Sequence, residues 1–282
     1  MDLTTFFFSV LATSVAAGIV GAILGLGGGI LLVPILTMFF RVDLHYAMGA
    51  SIISVIATSS GAAAAYLRTG MSNVRIGLFL VMATISGALL GAVLAGVVPV
   101  RWLEVILGLA LGYSAFTTVK QINVELPGEV PDDRIARSFR LSGSYYDRVL
   151  RREIKYRATR VPLGFAAMFG AGILSGLLGI GSGAFKVLAM DYFMRLPMKV
   201  STATSNFMIG LTAAASAGIY FTRGDIQPLV VAPVAIGVLA GAYLGTALMA
   251  RMRNATVRKA FLPIVVYLAL SMLLRGLGIH LL

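Results

Sequence analysis

TTFFFSVLATSVAAGIVGAILGLGGGILLVPILTMFF, residues 4–40, contains no charged side chain. As one straight helix its 37 residues would run roughly 55 Å at about 1.5 Å per residue. The hydrocarbon core of a bilayer is only about 30 Å thick. The chain must therefore turn back inside this stretch, and GLGGG, Gly25–Gly29, is the place. Backbone groups that leave a helix at membrane depth have to line a cavity enclosed by protein or water. The same turn that decides the fold is thus the first pointer to a site.

The rest of the chain agrees. Of its 282 residues 59% are hydrophobic and 12% are charged, against about 45–50% and 25% in soluble domains. The apolar segments are continuous and do not alternate, which argues against a β-barrel. An all-α integral membrane protein is expected. Apolar segments fall at 4–26, 29–40, 47–67, 74–98 and 102–119, then at 161–181, 183–195, 201–222, 227–250 and 259–281. The first has no basic leader and runs directly into further membrane sequence, so it reads as a span and not as a cleavable signal.

The two sets of segments are copies. They align without gaps at an offset of 154 residues, and seven glycines coincide: Gly18, Gly25, Gly27, Gly29, Gly70, Gly87 and Gly91 match Gly172, Gly179, Gly181, Gly183, Gly224, Gly241 and Gly245. Glycine content alone would give about two coincidences, so the repeat is real, and internal repeats mark secondary transporters. Ser51, Thr58 and Tyr66 match Ser205, Thr212 and Tyr220 in the same register. A broken unit that turns back leaves each copy with an odd number of passes, so the copies are expected to be inverted. The domains read as 1–120, a first transmembrane repeat; 121–160, a cytoplasmic loop insertion; and 161–282, the second, inverted repeat.

Net charge is +12, and ten of the 23 Lys and Arg lie between Lys120 and Arg160. That is a topology signal and not a nucleic-acid surface, because basic loops mark the cytoplasmic side. With this loop inside, the loops carrying Arg195 and Lys199 and Arg251 to Lys259 face inward too. Those carrying Arg41 and Arg101 face outward, and both termini lie outside. Within the insertion, Phe139–Tyr146 and Glu153–Val161 read as a β-hairpin. A basic linker that fixes topology and a lipid-headgroup or regulatory element are both open readings of it.

The second glycine turn is GIGSGAFKV, Gly179–Val187. A helix starting after each turn presents unpaired N–H groups and a positive dipole end, and two such ends near the midplane suit an anion. Close helix packing is the alternative use of these glycines. Lys186 sharpens the first reading. It lies one turn past Gly183, where an ionisable residue is a functional candidate, and its counterpart is Leu32. Asp191 is five residues on, about 140° round the helix, a poor position for pairing. Ser201, Ser205, Thr212 and Ser216 share one helical face, as do Ser51, Ser54 and Thr58. These hydroxyls and the Asn206 amide either donate to an oxyanion or bond to backbone carbonyls.

Chemistry of other kinds finds no footing. There is no cysteine, and the two histidines, His45 and His280, lie near segment ends, so no metal cluster can be built from them. GLGGGI and GIGSGA do not fit the dinucleotide fingerprint, and no P-loop is present. Ser182 between glycines suggests a serine nucleophile, but no base lies at a segment centre. No cofactor and no enzyme activity are expected.

Three stretches carry a family resemblance: GAILGLGGGILLVPIL (21–36), GLLGIGSGAFKVLAMDY (176–192) and STATSNFMIGLTAAASAGIYFTRGDI (201–226). They are similar to the TauE/SafE family of sulfite and organosulfonate exporters, and the resemblance covers nearly the whole chain. It implies a multi-helix carrier of two inverted repeats that moves small sulfur-containing anions across the inner or plasma membrane, mostly outward. Carried onto this sequence, the site is Gly27, Gly28 and Gly29, and Gly181, Ser182 and Gly183 with Ser205 and Asn206 beside the second turn; the residues' own chemistry adds Ser51 and Lys186. Two positions depart from the pattern: Ser182 replaces a glycine, and Leu188 stands where Pro34 stands in the first copy. The expected function is alternating-access transport of a small anion in the lipid bilayer. An anion channel, or a carrier of another small organic or inorganic anion, is the alternative.

Overall fold

In a computed structural model, described for residues 3–24, 28–68, 72–120, 133–147, 152–249 and 254–278, the opening stretch breaks as its length demands. Helix α1 (Leu3–Leu24) stops before the glycines and α2 (Gly29–Met38) starts at the last of them. The Phe6 ring meets Phe40, just past α2, edge-on at 5.8 Å. The unit therefore returns to the end of the bundle where it began. Helices α3 (Leu44–Arg68), α4 (Val74–Ala95) and α5 (Val100–Lys120) complete the first set.

The insertion follows as a short helix α6 (Arg134–Ser138) and an antiparallel hairpin of β1 (Ser142–Asp147) and β2 (Arg152–Arg157), with Gly143 opposite Tyr156 and Tyr145 opposite Ile154. The hairpin is shifted from its expected limits. Phe139 caps the end of α6 instead of opening a strand. Five residues are too few for a periodic pattern, so the sequence carried no sign of α6 except its cap, Asp133, whose carboxylate accepts from the N–H groups of Ile135 and Ala136.

The second set is α7 (Val161–Leu178), α8 (Gly183–Leu188) continued by a π-helical turn at Ala189–Phe193, α9 (Met198–Thr222), α10 (Pro228–Met249) and α11 (Asn254–Gly276). Here too the broken unit returns to its start: Thr159 N–H, just before α7, donates to Met194 C=O at 3.2 Å. Helices α3, α9 and α11 begin a few residues before their apolar segments, since a helix continues into the polar surface layer where hydropathy has already fallen. Among the described residues, α1, α4, α7 and α10 are long and apolar enough to cross a membrane.

Helix α1 packs on α10, α4 on α7, α3 on α9 and α5 on α11. Exchanging α1–α5 for α7–α11 maps these pairs onto themselves. The repeated glycines show why. Gly18 lies against Val238, where an added Cβ would sit 2.5 Å from the carbonyl oxygen, and Gly172 lies against Thr84 at 2.3 Å. Gly87 faces Phe169 and Gly241 faces Val15, both at 2.2 Å. Each contact is its partner shifted by 154 residues at both ends. These glycines are helix-crossing points, where a side chain would push backbones apart.

Two large buried apolar clusters result, with a small third at Val55, Ile209 and Ala213. One joins α2, α3, α5 and α11. The other joins α4, α7 and the π-helical turn to the insertion through Leu141, Tyr145 and Tyr156. The insertion is docked on the bundle, with the Tyr156 hydroxyl accepting from Asn73 Nδ2 at 3.0 Å. Burial raises the Tyr156 pKa, and the Asn73 hydrogen bond offsets part of that rise.

Candidate anion site

The two glycine turns are alike where both are described. In the second, Gly179, Gly181 and Ser182 take left-handed backbone angles (φ +66°, +71° and +46°) to lead α7 into α8. In the first, Gly28, the counterpart of Ser182, has φ +69°. Glycine takes this region at no steric cost, whereas serine is uncommon there. Each turn is tied to the next long helix by one hydroxyl. Ser51 Oγ donates to Gly29 C=O and Ser205 Oγ to Gly183 C=O, both at 3.2 Å. Two helical turns further on, Thr58 donates to Ser54 C=O and Thr212 to Met208 C=O, at 2.7 and 2.8 Å. All of these side chains are buried.

Lys186 breaks the likeness. It is fully buried, with 0% of its surface exposed. Its Nζ donates to Gly181 C=O at 3.1 Å and to Thr212 Oγ1 at 3.0 Å. Thr212 in turn meets Thr84 Oγ1 from α4 at 3.1 Å. Thr212 accepts from Lys186, and since Thr84 Oγ1 also lies 3.0 Å from Val81 C=O and Thr212 Oγ1 2.8 Å from Met208 C=O, one of the two hydroxyls gives up its backbone bond to donate to the other. A relay therefore runs from Lys186 through Thr212 to Thr84, from the second set of helices into the first.

The two Lys186 hydrogen bonds among the described residues go to neutral oxygens. An ammonium has three N–H donors, so one is left over. A charged side chain at membrane depth costs about 2.5–3.5 kcal/mol on insertion scales. Two hydrogen bonds to neutral groups offset part of that cost and cancel none of the charge. When protonated, Lys186 thus carries a charge that no carboxylate among the described residues is shown to cancel.

The other expected site residues fall around these turns in different roles. Gly28, Gly29, Gly181 and Gly183 are buried in the turns; Gly27 lies outside the described residues. Ser51 and Ser205 spend their protons on glycine carbonyls. Asn206 Nδ2 donates to Thr202 C=O one turn back at 3.2 Å, while its Oδ1 has no partner. Ser182 Oγ and Ser201 Oγ are likewise buried and unpartnered.

Sequence reasoning missed two contributors. Ser59 bridges α3 and α9, donating to Asn206 C=O and accepting from Gly210 N–H at 2.9 Å. It is adjacent to the hydroxyl stripe but off its face. Thr84 belongs to no hydroxyl stripe, since Ser86, two residues on, points to another face of α4, and only the packing of α4 on α9 brings it to Thr212. No group of three or more metal-ligating side chains occurs among the described residues.

The family whose members are described as Sulfite exporter TauE/SafE matches this chain over residues 10–272. The chain belongs to the TauE/SafE family. As a TauE/SafE protein it is a membrane transporter. It is similar to the Bacillus subtilis (strain 168) protein named "Probable membrane transporter protein YunE", 25% identical over 279 residues that cover 96% of this chain and 98% of the relative. It is also similar to "Probable membrane transporter protein YdhB" of the same organism, 27% identical over 230 residues, 81% of this chain and 84% of the relative. No solved structure matches.

Proposed function

We propose that this TauE/SafE protein exports small sulfur-containing anions, sulfite or an organosulfonate, across the inner or plasma membrane, as a multi-pass carrier working by alternating access. The observation that carries the reading is Lys186, a fully buried amine whose two hydrogen bonds among the described residues go to neutral oxygens. A monoanion entering beside it would supply a counter-charge and take up the third N–H. The buried, unpartnered Ser182 hydroxyl on the adjacent turn is the nearest further donor in sequence. In a dehydrated site such charge-assisted hydrogen bonds are roughly twice as strong as neutral ones.

Two opposed repeats supply the moving parts. The first broken unit returns to the end marked by Phe6 and Phe40. The second returns to the end marked by Thr159 and Met194. These contacts support inversion, with the insertion on the cytoplasmic side. Rocking one set of helices on the other would expose Lys186 to each side in turn, as in other inverted-repeat carriers. The Thr84–Thr212 contact crosses the surface along which they would move.

Anion flux in proteoliposomes tests this, with sulfite, thiosulfate, sulfoacetate, sulfate and chloride offered to wild type and Lys186→Ala. The expected result is saturable flux of sulfur anions that collapses in the variant. Flux linear in concentration would instead describe a channel. Flux that survives Lys186→Ala would remove the lysine from the site, and no flux with any of the five would overturn the substrate class.

A further inference from the structure

At one end of the bundle three arginines are satisfied by protein, while Arg41 there is exposed. Arg223 pairs with Asp225 and donates to Ala92 C=O at 2.6 Å. Arg275 pairs with Glu104 at 3.0 Å, and Arg101 donates to Gly276 C=O at 2.7 Å. At the other end, where the insertion docks, the side chains of Arg75, Arg140 and Arg160 are exposed and form no hydrogen bond or ion pair among the described residues.

The nearby carboxylate does not compensate them. Burial works against the Asp133 charge, but the backbone N–H groups of Val161, Ala136, Ile135 and Arg160 outweigh it and hold the pKa below the ordinary aspartate value. Its oxygens are occupied by backbone, with Val161 N–H donating at 3.1 Å. That bond also pins the start of α6 to the start of α7.

Aromatic rings place these arginines at a definite depth. Phe139, at the end of α6, lies 5.0 Å from Phe79 of α4, and Phe79 lies 5.6 Å from Phe165 of α7. Phe79 is five residues into α4 and Phe165 four into α7, roughly 6–8 Å below the helix starts at 1.5 Å per residue. Both helices are apolar enough to cross a membrane. Phe139 is 56% exposed and Phe165 37%, so the cluster faces outward from the bundle. Arg75 sits one turn above Phe79 on the same helical face. Arg140 follows Phe139, and Arg160 precedes α7. Aromatic rings at the hydrocarbon boundary with arginines just above them match the layout of a phospholipid, acyl chain below and headgroup above.

We propose that this patch, centred on Phe139 with Arg75, Arg140 and Arg160, binds the headgroup of an anionic phospholipid and so anchors the insertion to the membrane surface. The inference does not depend on what the protein transports. Native mass spectrometry of the detergent-purified full chain tests it, with phosphatidylglycerol and phosphatidylcholine of matched acyl chains as probes. Wild type is expected to retain phosphatidylglycerol preferentially, and less of it as salt rises. The variant Arg75→Gln/Arg140→Gln/Arg160→Gln should bind it roughly a hundredfold more weakly, at about fivefold per arginine. Arg101→Gln, at the opposite end, should bind as wild type does. Equal retention of the two lipids, or retention in wild type that is indifferent to salt, would overturn the proposal even if the triple variant fails to fold. Displacement of the lipid by equimolar glycerol phosphate would show that the patch takes a soluble phosphate and would overturn the lipid assignment.

Discussion

The two broken units share a turn and a clasp, but the second carries Lys186 and Asp191 where the first has Leu32 and Thr37, and a π-helical turn where the first stays α-helical. Gly28 and Ser182 turn the chain with the same left-handed residue, and Ser51 and Ser205 clasp the turns with the same hydrogen bond at the same 3.2 Å. Even the residues that close the units match, Arg41 at φ +53° and Arg195 at φ +51°. Yet the relay Lys186–Thr212–Thr84 has as its counterpart Leu32–Thr58–Val238. Only the middle member survives. Duplication kept the scaffold, and specialisation changed the two residues that flank a common threonine. The proposed site is therefore one-sided, with its charge on the second unit alone.

The largest effect should come from forcing the first unit to resemble the second. Leu32 is fully buried, and Leu32→Lys would place a cation there with Thr58 but no threonine behind it. A loss of about 3–5 kcal/mol is expected for an uncompensated buried charge, read by thermal unfolding in detergent. Adding Val238→Thr should recover about 1 kcal/mol through the restored relay. Equal stability of the single and double variants would show that the outer threonine contributes nothing.

The reverse exchange comes next. Lys186→Leu should fold at least as well as wild type, because replacing a buried charge with a hydrophobe of similar volume is neutral or stabilising. Its anion flux should fall at least roughly thirtyfold. A variant that transports normally would reduce the lysine to a relic of packing.

Thr84→Val removes only the far end of the relay. It should raise the KM for the transported anion about fivefold with little change in maximal rate, at about 1 kcal/mol for one hydrogen bond, and Thr84→Ser should restore it. A drop in maximal rate without a change in KM would place Thr84 in the movement of the repeats and not in the holding of Lys186.

The smallest effects concern the turns. Gly28→Ser should lower stability by about 0.5–1 kcal/mol, since serine is disfavoured at that φ. Ser182→Gly should gain a similar amount, and any loss of flux in it would assign the unpartnered hydroxyl to the anion. Melting temperatures measured side by side would show whether the two turns are as equivalent as their angles.

Much of this was legible in the residues. The length of the 4–40 stretch forced a reversal, the 154-residue offset revealed the duplication, and Lys186 stood out because its counterpart is leucine. These are properties of one chain read against a bilayer of known thickness, and they need no knowledge of what packs on what. The insertion was read correctly as a hairpin but not as a docked one, because Tyr145 and Tyr156 look like any strand residues until Met190 and Ile76 are found against them.

The tertiary structure alone decided which of the singled-out groups are occupied. The glycines at 18, 87, 172 and 241 are packing contacts because each meets a backbone on the partner set of helices. Ser51 and Ser205 are clasps because a glycine carbonyl lies within reach. Thr84 enters the site from another repeat. A sequence states which polar groups enter the membrane. Which of them remain unpaired there depends on contacts between residues 20 to 150 positions apart, and such contacts exist only once the helices have packed.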